Sequence, residues 1–360
     1  MIYSIFPSRD ATVYENSASV NTGMDEILEL TKTVSSSNQP GVFNTRILID
    51  FDTTPVSKSI ASNEISGSDG QDPKFSLKVY NIAQEQVPSE YKITVTPISE
   101  SWSMGIGKTT YTPYVQEGVS WIYRDGKTPN TEWHTPGCTD FTESLYSATQ
   151  TFTNNSGDIN IDVSHIITSS FLNKPLNTIY NGLLIKRSGS QETDGVRYGS
   201  VKYFSNETHT IYPPRLEVKW DDSEYSTGSL TPLLADNIAI KATNVQSEYK
   251  ENSKVRFKLI GCELYPTKSY STSAYSSTQY NYIASSSYYS IIDQSSGETV
   301  IPFDVNFTKI SCNADGNYFN LWTHSLLPER LYSIEVRLDH RQYSNQQEYY
   351  KCKNVFKIVR

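Results

Sequence analysis

Residues 45–51 read TRILIDF, and the reading of that stretch decides the fold class. Ile47, Ile49 and Phe51 fall two apart, so an extended chain places them together on one side. The same period recurs outward along the chain: Phe75, Leu77 and Val79 in FSLKVY, Tyr91, Ile93 and Val95 in YKITV, Ile159, Ile161 and Val163 in DINIDV, and Leu216, Val218 and Trp220 in RLEVKW. Each stretch has one apolar and one polar face, as a half-buried antiparallel strand requires. Clusters of turn-forming residues separate them, such as SSSNQPG at 35–41 and SGSDGQDP at 66–73. Helical periodicity is scarce. DVSHIITSSFLN predicts one or two turns capped by Asp162 or Ser164 and carrying Ile166, Ile167 and Phe171.

Composition agrees with an all-β chain. Charged residues make up 19% of the 360, below the usual quarter, while Tyr alone numbers 26. Long solvated helices need Glu, Lys and Ala, which this mixture does not supply, and the aromatics provide enough burial to argue against disorder. The formal charge of −8 and the lack of any basic run argue against nucleic-acid binding. The N-terminus shows no basic and apolar leader pattern, and no run of eighteen apolar residues occurs, so neither a signal peptide nor a membrane span is expected. Cys138, Cys262, Cys312 and Cys352 form no CxxC pair and predict reduced, mostly buried thiols in a chain made in a cytoplasm.

After Trp220 the texture changes to DDSEYSTGS, which sets a boundary between a domain at 1–222 and a second at 223–360. The second starts fresh alternation: Val255, Phe257, Leu259; Phe303, Val305, Phe307; Tyr332, Ile334, Val336, Leu338; and Phe356, Ile358. Within it, LLPERLYSIEV resembles the tyrosine corner of fibronectin type III and other immunoglobulin-like sandwiches, with Leu326 or Leu327, Pro328 and Tyr332 in the places of that motif. The resemblance implies an immunoglobulin-like β-sandwich and no chemistry.

The first region carries a wider pattern. RDATVYE at 9–15 is followed by NTG at 21–23, LEL at 28–30, RILIDFD at 46–52, SWSMGIGK, GVSWIY, EWHTPG, INIDVS, NGLLIKRS, VKYFSNE and finally PPRLEVKW. This order resembles the disaggregatase-related (DNRLRE) domain and its carbohydrate-binding-module-like relatives. The resemblance implies a jelly-roll-like β-sandwich of a kind found in surface proteins, polysaccharide-binding modules and bacteriophage virion proteins. It fixes no single activity.

Few residues invite chemistry. MGIGKTT at 104–110 matches the end of a P-loop at Gly107, Lys108 and Thr109, but Trp102 stands where the first glycine belongs and no helix can start after it. The histidines 134, 165, 209, 324 and 340 share no metal spacing, and there is no G-x-S-x-G elbow. Calcium finds only Asp10 or Asp162, with no Asp-rich loop around them. The carboxylate pairs Asp50 with Asp52 and Asp158 with Asp162 could serve a glycosidase only if they faced each other with one desolvated. No enzyme activity, cofactor or metal is therefore expected.

Two surfaces remain. Trp102, Trp121, Tyr123, Trp133 and His134 sit in neighbouring loops and could form an aromatic platform for a glycan, or could simply pack. Residues 265–290 are almost entirely Tyr, Ser, Thr, Ala and Asn, a composition that suits a protein-contact loop through Tyr265, Tyr270, Tyr275, Tyr280, Tyr282, Tyr288 and Tyr289. The expectation is a non-enzymatic structural protein of a phage virion, at the tail, baseplate or neck, meeting other virion proteins in a symmetric multi-copy assembly. The alternative is a glycan-binding module touching host polysaccharide. Neither nucleic acid nor membrane is an expected partner.

Overall fold

The computed structural model describes all residues except 35–40, 66–72, 141–145, 154–156, 172–180, 234–237, 266–280 and 340–346. The chain is mostly β, with 49% of residues in strands and 8% in helices. It divides into two compact units, a larger one of Ile5–Ala61 with Lys74–Val218 and a smaller one of Met1–Ser4 with Ser62–Pro73 and Lys219–Arg360. The units are therefore not successive stretches of chain, as a boundary at 222/223 would make them. Met1–Ser4 joins the smaller unit through backbone: Trp220 N donates to Met1 O at 3.0 Å, and Ser4 N to Ser325 Oγ at 2.9 Å.

In the larger unit the strand Val42–Phe51 is the hub. It pairs antiparallel with Pro7–Tyr14, Ile27–Val34 and Leu183–Arg187. The sheet continues from Leu183–Arg187 to Glu90–Pro97 and Ala148–Thr153, and from Ile27–Val34 to Gly199–Phe204 and Asn81–Glu85. A second sheet sets Arg215–Lys219, Lys74–Val79 and Ile159–Asp162 side by side. The expected alternation holds, with Ile47, Ile49, Phe51, Phe75, Leu77, Val79, Ile159, Ile161, Leu216 and Val218 all buried. Leu48 departs from it. This residue is also fully buried, because the hub strand carries apolar packing on both faces. Helix Ser164–Phe171 forms where expected, with Asp162 Oδ1 accepting from Ser164 N at 2.9 Å and Ile166 and Ile167 turned inward.

Among the described residues after Lys219 the smaller unit forms two sheets. One runs Thr231–Pro232, Asn281–Tyr282, Lys254–Glu263, Gly316–Trp322, Ser311–Asn313, with Ile238–Ala242 also on Lys254–Glu263. The other runs Glu248–Lys250, Gln347–Val359, Leu331–Asp339, Ser287–Asp293, Thr299–Ile301. One hydrophobic cluster draws on both, with Phe257, Leu259 and Phe319 from the first and Tyr289, Ile334, Val336 and Phe356 from the second. Tyr289 stacks on Phe319 with ring centres 4.1 Å apart. Tyr332 is buried in this core and its hydroxyl donates to Leu327 O at 2.9 Å, the bond expected of a tyrosine corner.

One predicted strand is absent. Phe303, Val305 and Phe307 alternate in sequence but sit in a turn, because Asp304 Oδ1 captures the amides of Asn306 at 2.8 Å and Phe307 at 3.2 Å. A side chain that bonds its own following backbone competes with a ladder and wins here.

Candidate functional site

The tryptophan loops come together, but inward. Trp102, Trp121 and Trp133 are 4%, 9% and 4% exposed and pack with Ala11, Val13, Leu48, Ile98, Val119 and Leu184. Their polar edges are spent on backbone: Trp102 Nε1 donates to Asn181 O at 2.8 Å and Trp133 Nε1 to Ser120 O at 3.0 Å. Guanidinium groups cover two of the rings. Arg9 lies 4.4 Å from the centre of Trp102, and Arg46 lies 5.1 Å from that of Trp121.

Each arginine is held in turn by a carboxylate. Arg9 meets Asp50 through Nε at 2.9 Å and Nη2 at 2.8 Å, and Arg46 meets Glu192 bidentately at 2.9 and 2.8 Å. Burial pushes the Asp50 carboxyl above its ordinary value even against the pull of Arg9. Burial also works against the Arg46 charge, and Glu192 more than offsets it. Of the residues expected for a glycan platform, the three tryptophans are thus taken up by the chain's own side chains. Tyr123 is half-buried in a short strand, and His134 is exposed with its amide donating to Glu100 Oε2 at 3.1 Å.

Asn21 organises the glycine loop that resembled a P-loop. Fully buried, it donates from Nδ2 to Met104 O at 2.7 Å and Val119 O at 2.8 Å, and its Oδ1 accepts from Gly107 N at 2.7 Å. A Cβ on Gly105, whose φ is +78°, would fall 2.4 Å from Asn21 Oδ1, which explains the glycine there. The amide that a phosphate would need is committed to Asn21. The carboxylates of the two expected pairs are each engaged elsewhere, Asp50 with Arg9. Asp52 is exposed and opens helix Thr54–Ala61 by accepting from Thr54 N at 3.0 Å, whereas Asp158 accepts from Asn81 N at 2.7 Å and Asp162 from Ser164 N. Among the described residues no group of three or more His, Cys, Asp or Glu side chains could hold a metal.

A groove of about 320 Å³ opens in the larger unit beside Tyr14, Asp25, Glu26, Glu29, Lys108 and Lys202. Burial raises the Asp25 carboxyl and, with Glu29, the Tyr14 phenol. Its charges are largely spoken for: Lys108 meets Glu26 at 3.4 Å, Lys202 meets Glu85 at 3.8 Å, and Glu29 accepts from Tyr14 and Ser200.

The tyrosine-rich segment divides. Tyr265 is 83% exposed, Tyr282 is half-buried and edge-on to Tyr225 at 6.4 Å, and Tyr270, Tyr275 and Tyr280 lie outside the described residues. Tyr288 and Tyr289 do not belong to a contact loop. Both are buried in strand Ser287–Asp293, with Tyr289 in the core and Tyr288 opposite Arg337.

That last pairing leads to a surface the sequence reading missed. On strand Leu331–Asp339 the residues between the buried Tyr332, Ile334, Val336 and Leu338 face away from the core. Among them Arg337 lies 4.7 Å from the Tyr288 ring centre and 5.4 Å from that of Phe303, and Tyr349 meets Phe303 edge-on at 5.6 Å. Register pairing puts Arg337 opposite Tyr349 and Ser333 opposite Val355. Tyr349, Val355 and Leu331 are 53%, 46% and 44% exposed. The signal available in sequence was only the outward parity of these positions; the cross-strand register that assembles them was not readable.

Among known proteins, no family model and no curated protein matches this sequence. Among the described residues no helix is long and apolar enough to cross a membrane.

Proposed function

We propose that this chain is a non-enzymatic structural component of a bacteriophage virion, in the tail, baseplate or neck region, working through protein–protein contacts. The observation that carries the contact reading is the outward sheet face of the smaller unit. There an arginine stacked between aromatic rings is flanked by exposed Tyr349, Val355 and Leu331. Arginine and tyrosine dominate the energetics of protein interfaces, and apolar side chains in a patch of this kind gain most from being covered. The virion setting rests on the resemblance of 9–220 to DNRLRE-type domains. In this reading the larger unit is jelly-roll-like and the smaller immunoglobulin-like, the latter supported by the Tyr332–Leu327 hydrogen bond.

Mass spectrometry of purified particles tests the setting directly: the chain should copurify with virions at a fixed copy number. The contact face is tested by Tyr349→Ser with Val355→Ser. The double variant should keep the parent's melting temperature and fail to enter particles. A variant that assembles normally would refute the contact reading, and absence of the chain from particles would refute the virion setting.

A further inference from the structure

The interior of the larger unit holds a cation that Glu192, itself paired to Arg46, reaches only from a distance. Arg187 is only 2% exposed, yet among the described residues no carboxylate lies within ion-pair distance of it. Its Nη2 donates to Tyr198 O at 2.9 Å and Leu30 O at 3.3 Å. Its Nε and Nη1 have no hydrogen-bond partner among the described residues. The rings of Tyr91 and Tyr198, centred 5.5 and 5.3 Å away, attract the charge but accept no ordinary hydrogen bond.

Two more donors share this interior. Tyr91 and Tyr203 are buried, and neither phenol oxygen has a partner among the described residues. Tyr91 and Arg187 lie close enough to Tyr203 to act on its acidity. Arg187 stays protonated at neutral pH even though burial lowers its pKa to about 10. The site is thus a buried positive charge beside guanidinium and phenol donors that no described residue satisfies. Leaving a buried charge uncompensated is costly, and leaving donors unmade adds to that cost. A water would accept two of these protons but would bring two of its own. A monatomic anion accepts only, and also places a negative charge in direct contact with the guanidinium. We propose that Arg187, Tyr91 and Tyr203 bind one small anion of the halide class inside the larger unit.

The probe is bromide. Crystals of the full chain grown or soaked in sodium bromide should show an anomalous peak within hydrogen-bond distance of Arg187 Nε or Nη1 and of at least one of the two phenol oxygens. In solution, chloride or bromide at ten times its dissociation constant should raise the melting midpoint of the larger unit by about 3–6 °C over gluconate at equal ionic strength. Arg187→Met should abolish that difference. Because this variant can fail to fold, Tyr203→Phe, which keeps the ring and removes one donor, should at least halve it. An ordered site without anomalous signal, or a halide dependence absent from the parent or unchanged in Tyr203→Phe, would overturn the proposal.

Discussion

Asn21→Ala is the substitution whose cost the structure defines most closely. The side chain ties three separate stretches of the larger unit together: its own Asn-Thr-Gly turn, the glycine loop at Met104 and Gly107, and the following loop at Val119. Truncation strands two buried carbonyls and one buried amide. A typical intramolecular hydrogen bond contributes about 1 kcal/mol net, and an orphaned buried group costs about 1–3 kcal/mol. The loss should therefore be about 3–5 kcal/mol. The upper end is favoured because the site cannot close up: Gly107 and Gly118 pack so tightly that an added Cβ would fall 2.3 Å from Asn21 O and 2.4 Å from Gly105 Cα. Urea unfolding followed by tryptophan fluorescence reports on it, since Trp102 and Trp121 stand in the adjoining loops. The midpoint should fall while the slope stays fixed. Asn21→Asp sharpens the test, because it keeps the acceptor for Gly107 N but faces two carbonyls with a donor-free carboxylate. A loss below about 1 kcal/mol for the alanine variant, or an aspartate variant as stable as the parent, would refute the assignment of Asn21 as the lock.

Further outcomes follow from the same geometry. Tyr332→Phe should lose about 0.5–1.5 kcal/mol, measured by denaturant unfolding of the smaller unit, and a value near zero would mean the hydroxyl bond to Leu327 O contributes nothing. Trp102→Ala and Trp133→Ala should each cost about 3–5 kcal/mol in thermal or denaturant unfolding, as expected of buried rings. Burial raises the Asp10 carboxyl to about 7, so the folded state binds its proton more tightly than the unfolded state does. Stability should then fall as pH rises from 4 to 7, and Asp10→Asn should flatten that slope while keeping an acceptor for Asn206 N. An unchanged slope in the variant would assign the pH dependence elsewhere.

Strands were legible wherever one face is buried, because burial then writes its period directly into the sequence, as at Phe75–Val79 or Tyr332–Leu338. The corner at Tyr332 was legible because its partner, Leu327, is local. Phe303–Phe307 misled because the deciding contact belongs to Asp304, whose side chain interrupts an otherwise strand-like alternation. The tryptophan loops were visible, but their direction was not. Whether a ring faces solvent or core depends here on Arg9 and Arg46, which come from strands remote in sequence. Tyr288 and Tyr289 share the texture of the segment before them and are set apart only by pairing with Leu331–Asp339. The buried Arg187 gave no signal at all, since an arginine ending a strand ordinarily reaches solvent.

The membership of Met1–Ser4 in the smaller unit has a consequence for synthesis. A ribosome releases these residues well before the rest of the smaller unit, and the hydroxyl that receives Ser4 N belongs to Ser325, 321 positions later. Nearly the whole chain must emerge before this pairing can form, whereas the larger unit has all of its own strands once residue 218 is free. Vectorial folding therefore leaves Ile2 without the core side chains between Ile238 and Ile358 that bury it while the larger unit assembles. Such a wait favours capture by chaperones or by a neighbouring chain at high expression. Slowing translation should not shorten it, because the delay is set by sequence separation. Lowering the temperature or the expression level, which reduces encounters between unfinished chains, should raise the yield of folded protein.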